Sequence, residues 1–313
     1  MALLRSLCRI GVRYFITLAA LACILSAFSA RAEGHKLKVL TSFLPIYCFT
    51  ANIAGELADV QNLLPPGAEP HDFQFTPREM TELEAADLVV INGLGIEAWL
   101  GPTLASQEKT KPVVEAAAGL QEELITNASY LDPDNPDAAP SPSAPPNPHI
   151  WLDPQLAEHA VTNILLALQK ADPANASAYA ANARDYLARL DRLDKDIHAG
   201  LAPFKGQAII TFHDAFPYFA RRYDLKIVGV VERVPDVQPS LKYLSALRGV
   251  IERDRVKVVF SEKQSPDRLV QQISTDYHIP VAQLDTLETG VFKPDAYEQG
   301  MRTNLATLEK NLK

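Results

Sequence analysis

Cysteine is almost missing from this chain. Three of its 313 residues are Cys, and Cys8 and Cys23 fall in an N-terminal leader, so Cys48 alone is left and no intrachain disulfide can close. Stability therefore has to come from packing, and Cys48, set between Tyr47 and Phe49, reads as a small buried apolar residue rather than a thiolate ligand. The common catalytic signatures are absent as well: there is no G-x-S-x-G, G-x-x-x-x-G-K-[ST], H-E-x-x-H, C-x-x-C or G-x-G-x-x-G. That weakens an enzymatic reading, and the chain is expected not to be an enzyme. An excess of positive charge is lacking too. A formal net charge of -8 and a pI near 5.4 argue against nucleic acid as a partner, because gripping phosphates draws on clustered Lys and Arg.

What is present describes a globular protein. The composition, 47% apolar and 22% charged with 23 Pro and 14 Gly, is neither collagenous nor poor enough in apolar groups to stay unfolded. At the usual ~150 residues per domain the length implies about two domains, each able to bury a core. The first 32 residues read as an export signal. Arg5, Arg9 and Arg13 make a positive region, Tyr14 to Phe28 an apolar stretch of 15 residues, and Ala30-Arg31-Ala32 a small-residue cleavage site. The apolar stretch is shorter than the ~20 residues of a membrane-spanning anchor. Lipid attachment at Cys23 is an alternative, disfavoured because Ala20-Leu21-Ala22 before it makes a poor lipobox. Cleavage near Ala32 leaves 26 basic against 38 acidic residues, a net charge of -12.

Short β-branched runs alternate with helical patterns through the mature chain. Lys36 to Phe43, Ala86 to Asn92, Gln207 to Phe212, Lys226 to Val231, Val256 to Phe260 and Val281 to Leu284 read as buried strands. The alternation predicts an α/β fold with mostly parallel sheets covered on both faces. Two segments interrupt it. Asn127 to Pro148 holds seven Pro and three Asp with no Gly, Lys or Arg, which predicts a surface loop without a core. Asp132, Asp134 and Asp137 lack the turn Gly of a calcium loop, and their expected role is solvation. A long helix is expected over 173–200. There Tyr179, Ala183, Tyr186, Leu190, Leu193 and Ile197 form one apolar stripe between Pro173 and Gly200.

Seven histidines remain, all in the mature chain, and their settings differ. His71 stands in a Pro/Gly turn after the apolar Val60 to Leu64. His149 precedes a helix with Asp153 as N-cap and Pro154 at its first position. His213 follows the strand Ala208 to Phe212, and Asp285 ends Val281 to Leu284, the strand edge at which open α/β sheets bind ligands. His35, His159, His198 and His278 lack such a setting and read as solvated or capping residues.

Four blocks carry a resemblance: Pro70-His71-Asp72-Phe73, Asn147-Pro148-His149-Ile150-Trp151-Leu152-Asp153-Pro154, Thr211-Phe212-His213-Asp214-Ala215-Phe216-Pro217-Tyr218-Phe219 and Leu284-Asp285-Thr286-Leu287. In this order they resemble the solute-binding proteins of bacterial zinc and manganese ABC importers, of the high-affinity zinc-uptake type. Glu232 to Leu247 and Val258-Val259-Phe260-Ser261-Glu262 are similar to the C-terminal half of that family.

The resemblance implies two α/β lobes, 33–172 and 201–313, joined by a single long rigid helix at 173–200, with the metal in the cleft between them. It implies that His71, His149, His213 and Asp285 bind the metal. Three imidazoles and one carboxylate suit tetrahedral Zn²⁺, and His213, where manganese-dedicated relatives carry Glu, favours zinc over Mn²⁺. The expected function is a periplasmic, monomeric receptor that delivers Zn²⁺ to a membrane permease and its ATPase. Release would come from a small lobe shift or from loosening of the 127–148 loop around His149. That loop has none of the histidines seen in many zinc relatives, so no second zinc site is expected there. Rivals are a manganese receptor, a zinc hydrolase with one open coordination position, and a surface adhesin using zinc for stability. Affinity should fall below about pH 6 as three protons compete with the metal.

Overall fold

A computed structural model describes residues 36–107, 111–126, 145–232, 239–263 and 265–313. The expected signal peptide, Cys23, His35 and positions 127–144 of the Pro/Asp-rich loop lie outside the described residues. In chain order the elements are β1 (Leu37–Thr41), α1 (Leu44–Ala54), β2 (Ala58–Asn62), α2 (Pro77–Ala85), β3 (Leu88–Ile91), α3 (Gly101–Gln107) and β4 (Val113–Glu115). Two helices follow, α4 (Pro154–Ala171) and α5 (Ala176–Leu201). The second half holds β5 (Ala208–Thr211), α6 (Pro217–Tyr223), β6 (Lys226–Val230), α7 (Leu241–Asp254), β7 (Val259–Ser261), α8 (Asp267–Tyr277), β8 (Val281–Gln283) and α9 (Ala296–Asn311).

The strands make two four-stranded sheets, ordered β2-β1-β3-β4 and β6-β5-β7-β8. Every pairing is parallel, with Val39 opposite both Val60 and Leu88 in the first sheet and Ile210 opposite Val259 in the second. This is the α/β architecture that the sequence predicts, two parallel-sheet lobes joined through a long helix. The sequence reading missed β2 and β4. β2 is an edge strand, Ala58-Asp59-Val60-Gln61-Asn62, whose polar residues interrupt the apolar run, and β4 is only three residues long.

Local sequence explains the long elements. Asp153 caps α4 by accepting the Gln155 N–H at 2.9 Å, and Pro154, which has no N–H to satisfy, opens the helix. α5 has 26 residues, enough to span about 39 Å at 1.5 Å per residue. It begins after a 3₁₀ turn at Pro173–Asn175, and all six stripe residues are buried. Gly200 lies inside its last turn rather than ending it. A Cβ there would meet the ends of the Leu305 and Glu309 side chains at 2.8 and 2.6 Å, so a larger residue would make these side chains of α9 shift.

One apolar core runs through both lobes. It takes in Phe43, Phe49 and Trp151 from the first half, the α5 stripe, and Phe216, Phe219, Tyr223 and Tyr297 from the second. Phe43 meets Trp151, and Phe49 meets Tyr297, edge to face at 4.9 Å between centroids. Two smaller clusters line the outer layers, one in each lobe. Because Leu190 is buried in the shared core, Leu190→Ala is expected to destabilise the protein by about 2–5 kcal/mol. The exposed Asp185→Ala on the same helix is expected to stay within about 0.5 kcal/mol. Chemical denaturation of both variants measures the difference, and equal effects would contradict this placement of the helix.

Candidate metal centre

In a parallel sheet all strands end on the same edge, and the sheet order reverses between β1 and β3 in one lobe and between β5 and β7 in the other. The residues with metal-binding chemistry sit in the loops leaving those edges. His71 lies between β2 and α2, His149 between β4 and α4, His213 just after β5 and Glu288 after β8. The His71 loop turns at Gly67, which has φ +86°, and is held where the Trp99 indole N–H donates to the Pro70 carbonyl at 2.7 Å.

Four side chains converge there. His149 Nε2 lies 3.2 Å from both His71 Nε2 and His213 Nε2. Glu288 Oε1 lies 3.0 Å from His149 Nε2, 3.1 Å from His71 Nε2 and 3.9 Å from His213 Nε2. Every pair among the four donor atoms is within 4.8 Å. A tetrahedral ion with ligands at about 2.0–2.1 Å requires donor-to-donor edges of roughly 3.3–3.4 Å. The set is slightly tighter than such a tetrahedron on most edges, so small outward movements would make room for an ion.

Three of the four donors are oriented from behind. Asn147 Oδ1 accepts from both the backbone N–H of His149, at 3.0 Å, and its Nδ1, at 2.8 Å, which turns the Nε2 lone pair inward. Asn147 is itself fixed by donating to the Asp214 carbonyl at 2.6 Å and by accepting the Tyr218 hydroxyl at its own carbonyl at 2.8 Å. On His213 the carboxylate of Glu262 receives Nδ1 at 2.6 Å. On Glu288 the second oxygen accepts the Thr286 hydroxyl at 2.8 Å, while the Thr286 carbonyl accepts the Trp151 indole N–H at 2.8 Å. Thus the segment carrying His149 also holds the loop that carries Glu288.

Burial and neighbouring charge separate the three rings. For His149 burial dominates and pushes the pKa down to about 4, so the ring stays neutral. Burial acts in the same direction on His213, but the carboxylates of Glu262, Glu288 and Glu69 outweigh it and push the ring up to about 10. His71 is also raised, because contact with Glu288 overcomes its burial. Burial would raise Glu288, yet His149, His71 and the charge on His213 hold its carboxyl well below the usual range. Glu69 is pushed up to about 7 by burial and by Glu288, against the pull of His71 and His213. The three imidazoles therefore do not titrate as one set, which refines the expectation of three equivalent protons competing near pH 6.

The fourth expected ligand, Asp285, is not brought into the cluster. One of its oxygens accepts the Leu287 N–H at 2.9 Å and the other pairs with the Lys263 ammonium, so both are turned into its own loop. The carboxylate that joins the three imidazoles is Glu288, three residues further on. Leu287, with φ +64°, lies between the two acids, and this left-handed residue belongs to the turn that separates them. The sequence reading also missed Glu262, although its block had been noted. The other described histidines lie elsewhere: His159 reaches the Ala118 carbonyl at 2.7 Å, His198 is exposed on α5, and His278 ends α8 with φ +51°.

Comparison with known proteins matches the chain to a family. The model of the ZnuA family, the periplasmic component A of a zinc-uptake complex, matches residues 39–311. The high-affinity zinc uptake system protein ZnuA of Bacillus subtilis (strain 168) is 32% identical over 290 residues, covering 91% of this chain and 90% of that protein. Among solved structures, the solute-binding protein FpvC from Pseudomonas aeruginosa in complex with Mn²⁺ matches with a TM-score of 0.77 at 29% identity, over 89% of this chain and 99% of that one. Zn(II)-bound AdcA from Streptococcus pneumoniae matches with a TM-score of 0.73 at 26% identity, over 89% of this chain but 58% of AdcA, so the chain spans a little over half of AdcA's length. By the extent of these matches the chain belongs to the ZnuA family of metal-binding solute receptors.

Proposed function

We propose that this protein is an extracytoplasmic receptor that captures Zn²⁺ as cargo with His71, His149, His213 and Glu288. It would pass the ion to the membrane permease of an ABC importer powered by that importer's ATPase. The observation that carries this reading is the convergence of three imidazole nitrogens and one carboxylate oxygen at close to tetrahedral spacing. Four protein donors saturate a tetrahedral zinc, whereas a catalytic zinc keeps a position open for water. The donor set therefore supports carriage rather than hydrolysis. It comes from one chain, which is consistent with a monomer.

The family's periplasmic description and the leader-like first 32 residues support export to the periplasm. Among the described residues no helix is long and apolar enough to cross a membrane. Three nitrogen donors favour zinc over manganese by the Irving–Williams order. Manganese is the second reading, favoured by the likeness to the Mn²⁺ complex of FpvC.

Variants separate the two acids of the β8 loop. His213→Ala and Glu288→Ala each remove a donor and are expected to weaken zinc by more than the roughly 10–100-fold that loss of an outer partner costs. Asp285→Asn keeps an acceptor for Leu287 and is expected to change affinity by less than about threefold. Titration against a chromophoric chelator measures all three, and an Asp285→Asn loss as large as that of Glu288→Ala would overturn the donor set.

Proton linkage gives a second test. At pH 7.5 the metal-free protein carries a proton on His213, whose pKa stands at about 10, and the ion must displace it. Binding should release about one proton or more, and affinity should keep rising from pH 7 towards pH 9. Calorimetry in buffers of different ionisation enthalpy reads the release, and zero release would contradict it. The metal-free fold follows the opposite rule. The raised pKa of His213 contributes stability that is complete below its ordinary value of 6.5 and is lost as pH rises through about 10. The depressed pKa of His149 contributes stability present above 6.5 and lost as pH falls through about 4.

A further inference from the structure

Two of the three rings are held through Nδ1 by the same two-point grip, but the gripping groups differ in charge. At His149 a single neutral amide oxygen, Asn147 Oδ1, accepts both the backbone N–H and the ring Nδ1. At His213 the two donors are divided between the two oxygens of Glu262: the backbone N–H reaches Oε1 at 3.2 Å and Nδ1 reaches Oε2 at 2.6 Å. Glu262 is 9% exposed and stands directly after β7. Its backbone is fixed separately, its N–H donating to Ser265 Oγ at 2.9 Å and its carbonyl accepting the Ser265 N–H at 3.2 Å. Among the described residues the hydrogen bonds of its carboxylate go to His213 alone.

A neutral acceptor is enough to fix a tautomer, as Asn147 shows, so a buried carboxylate at the equivalent place adds something else. It adds a negative charge against the ring. With neutral imidazoles, Glu262 adds its negative charge to that of Glu288, with Glu69 also nearby, and a divalent cation offsets this charge better than a monovalent one. We infer that Glu262 is the residue that matches this pocket to a divalent ion, by holding the Nδ1 proton of His213 and by supplying a further negative charge that the ion offsets. The inference rests on the proposed zinc-receptor reading and assigns a positioning residue within it.

The substitution Glu262→Gln tests the assignment. Glutamine offers one acceptor and one NH₂ where His213 presents two donors. If the amide oxygen takes the Nδ1 proton, the NH₂ faces the backbone N–H. If the amide is reversed, its NH₂ donates to Nδ1 and forces the ring proton onto Nε2, the atom needed for the ion.

In full-length protein, zinc affinity of the variant should fall 10–100-fold relative to wild type, the range for losing an outer-shell partner. A second measurement needs no variant. In zinc-loaded wild type, ¹H–¹⁵N correlation should show a slowly exchanging proton on His213 Nδ1. Wild-type binding with Glu262→Gln within twofold of it, or a zinc-loaded His213 without a proton on Nδ1, overturns the inference and leaves the receptor reading standing. Absence of zinc binding by the wild-type protein overturns both. If the variant does not fold, the wild-type proton signal decides.

Discussion

Everything at the cleft depends on forcing atoms of one electrical character together. In the pairs that involve His149 or Glu288, three ring nitrogens and a carboxylate oxygen lie 3.0–3.9 Å apart, where lone pairs repel unless a proton or another positive charge stands among them. The protein without metal meets this in part with a proton. His213 is the ring whose pKa is raised most, and its charge in turn depresses the acid of Glu288. A divalent cation meets it more completely, because one ion contacts all four donors at once. The affinity of such a pocket therefore depends in part on the fold holding its donors in place before the ion arrives.

Holding the donors there requires rigid support, and the parallel sheets supply it. Because all strands of a lobe end on one edge, loops separated by more than two hundred residues in sequence meet at a single place. The edges are held together by the shared core and by hydrogen bonds that cross it. Trp151 donates to the carbonyl of Thr286, Tyr297 donates to the carbonyl of Trp151 at 2.6 Å, and Tyr218 donates to Asn147. On α5, Asp194 receives Arg222 at 3.0 Å and the Tyr223 hydroxyl at 3.0 Å, which ties the connecting helix to α6 of the second lobe. Each link ends within a few residues of a donor or on the helix between the lobes.

The parts of this arrangement that follow from local rules were legible in the sequence. Asp153 before Pro154 announces a helix start, the stripe from Tyr179 to Ile197 announces α5, and His213 after Ala208 to Phe212 announces a side chain at a sheet edge. β2 and β4 were not legible, because an edge strand with alternating polar residues and a three-residue strand give too little pattern. The fourth donor was misread for a related reason. Strand periodicity locates the end of β8 and so points at Asp285, but the path of the loop beyond it depends on Asp285 bonding to Leu287, on the left-handed turn there and on Asn304 holding the Asp285 backbone at 2.8 and 2.7 Å. Those are tertiary facts. Glu288 was not singled out in the sequence, and Glu262 was noted only as the last residue of the block Val258-Val259-Phe260-Ser261-Glu262.

A receptor must also let go, and the distribution of donors bears on how. His71 and His149 belong to loops of the first sheet and His213 and Glu288 to loops of the second, so swinging the lobes apart would break the set two and two. The core opposes that swing, since it would have to expose buried groups such as Trp151. His71 is held less completely. Its side chain is 23% exposed, against 4% for His149 and 2% for Glu288, and its loop crosses the surface, where the Trp99 bond to Pro70 secures it. Withdrawing His71 removes one donor, would leave the ion three-coordinate and open to an incoming ligand, and of the contacts between the lobes gives up only its own with Glu288 and His213. Withdrawal of one surface donor would make a closed four-donor site compatible with transfer without separating the lobes.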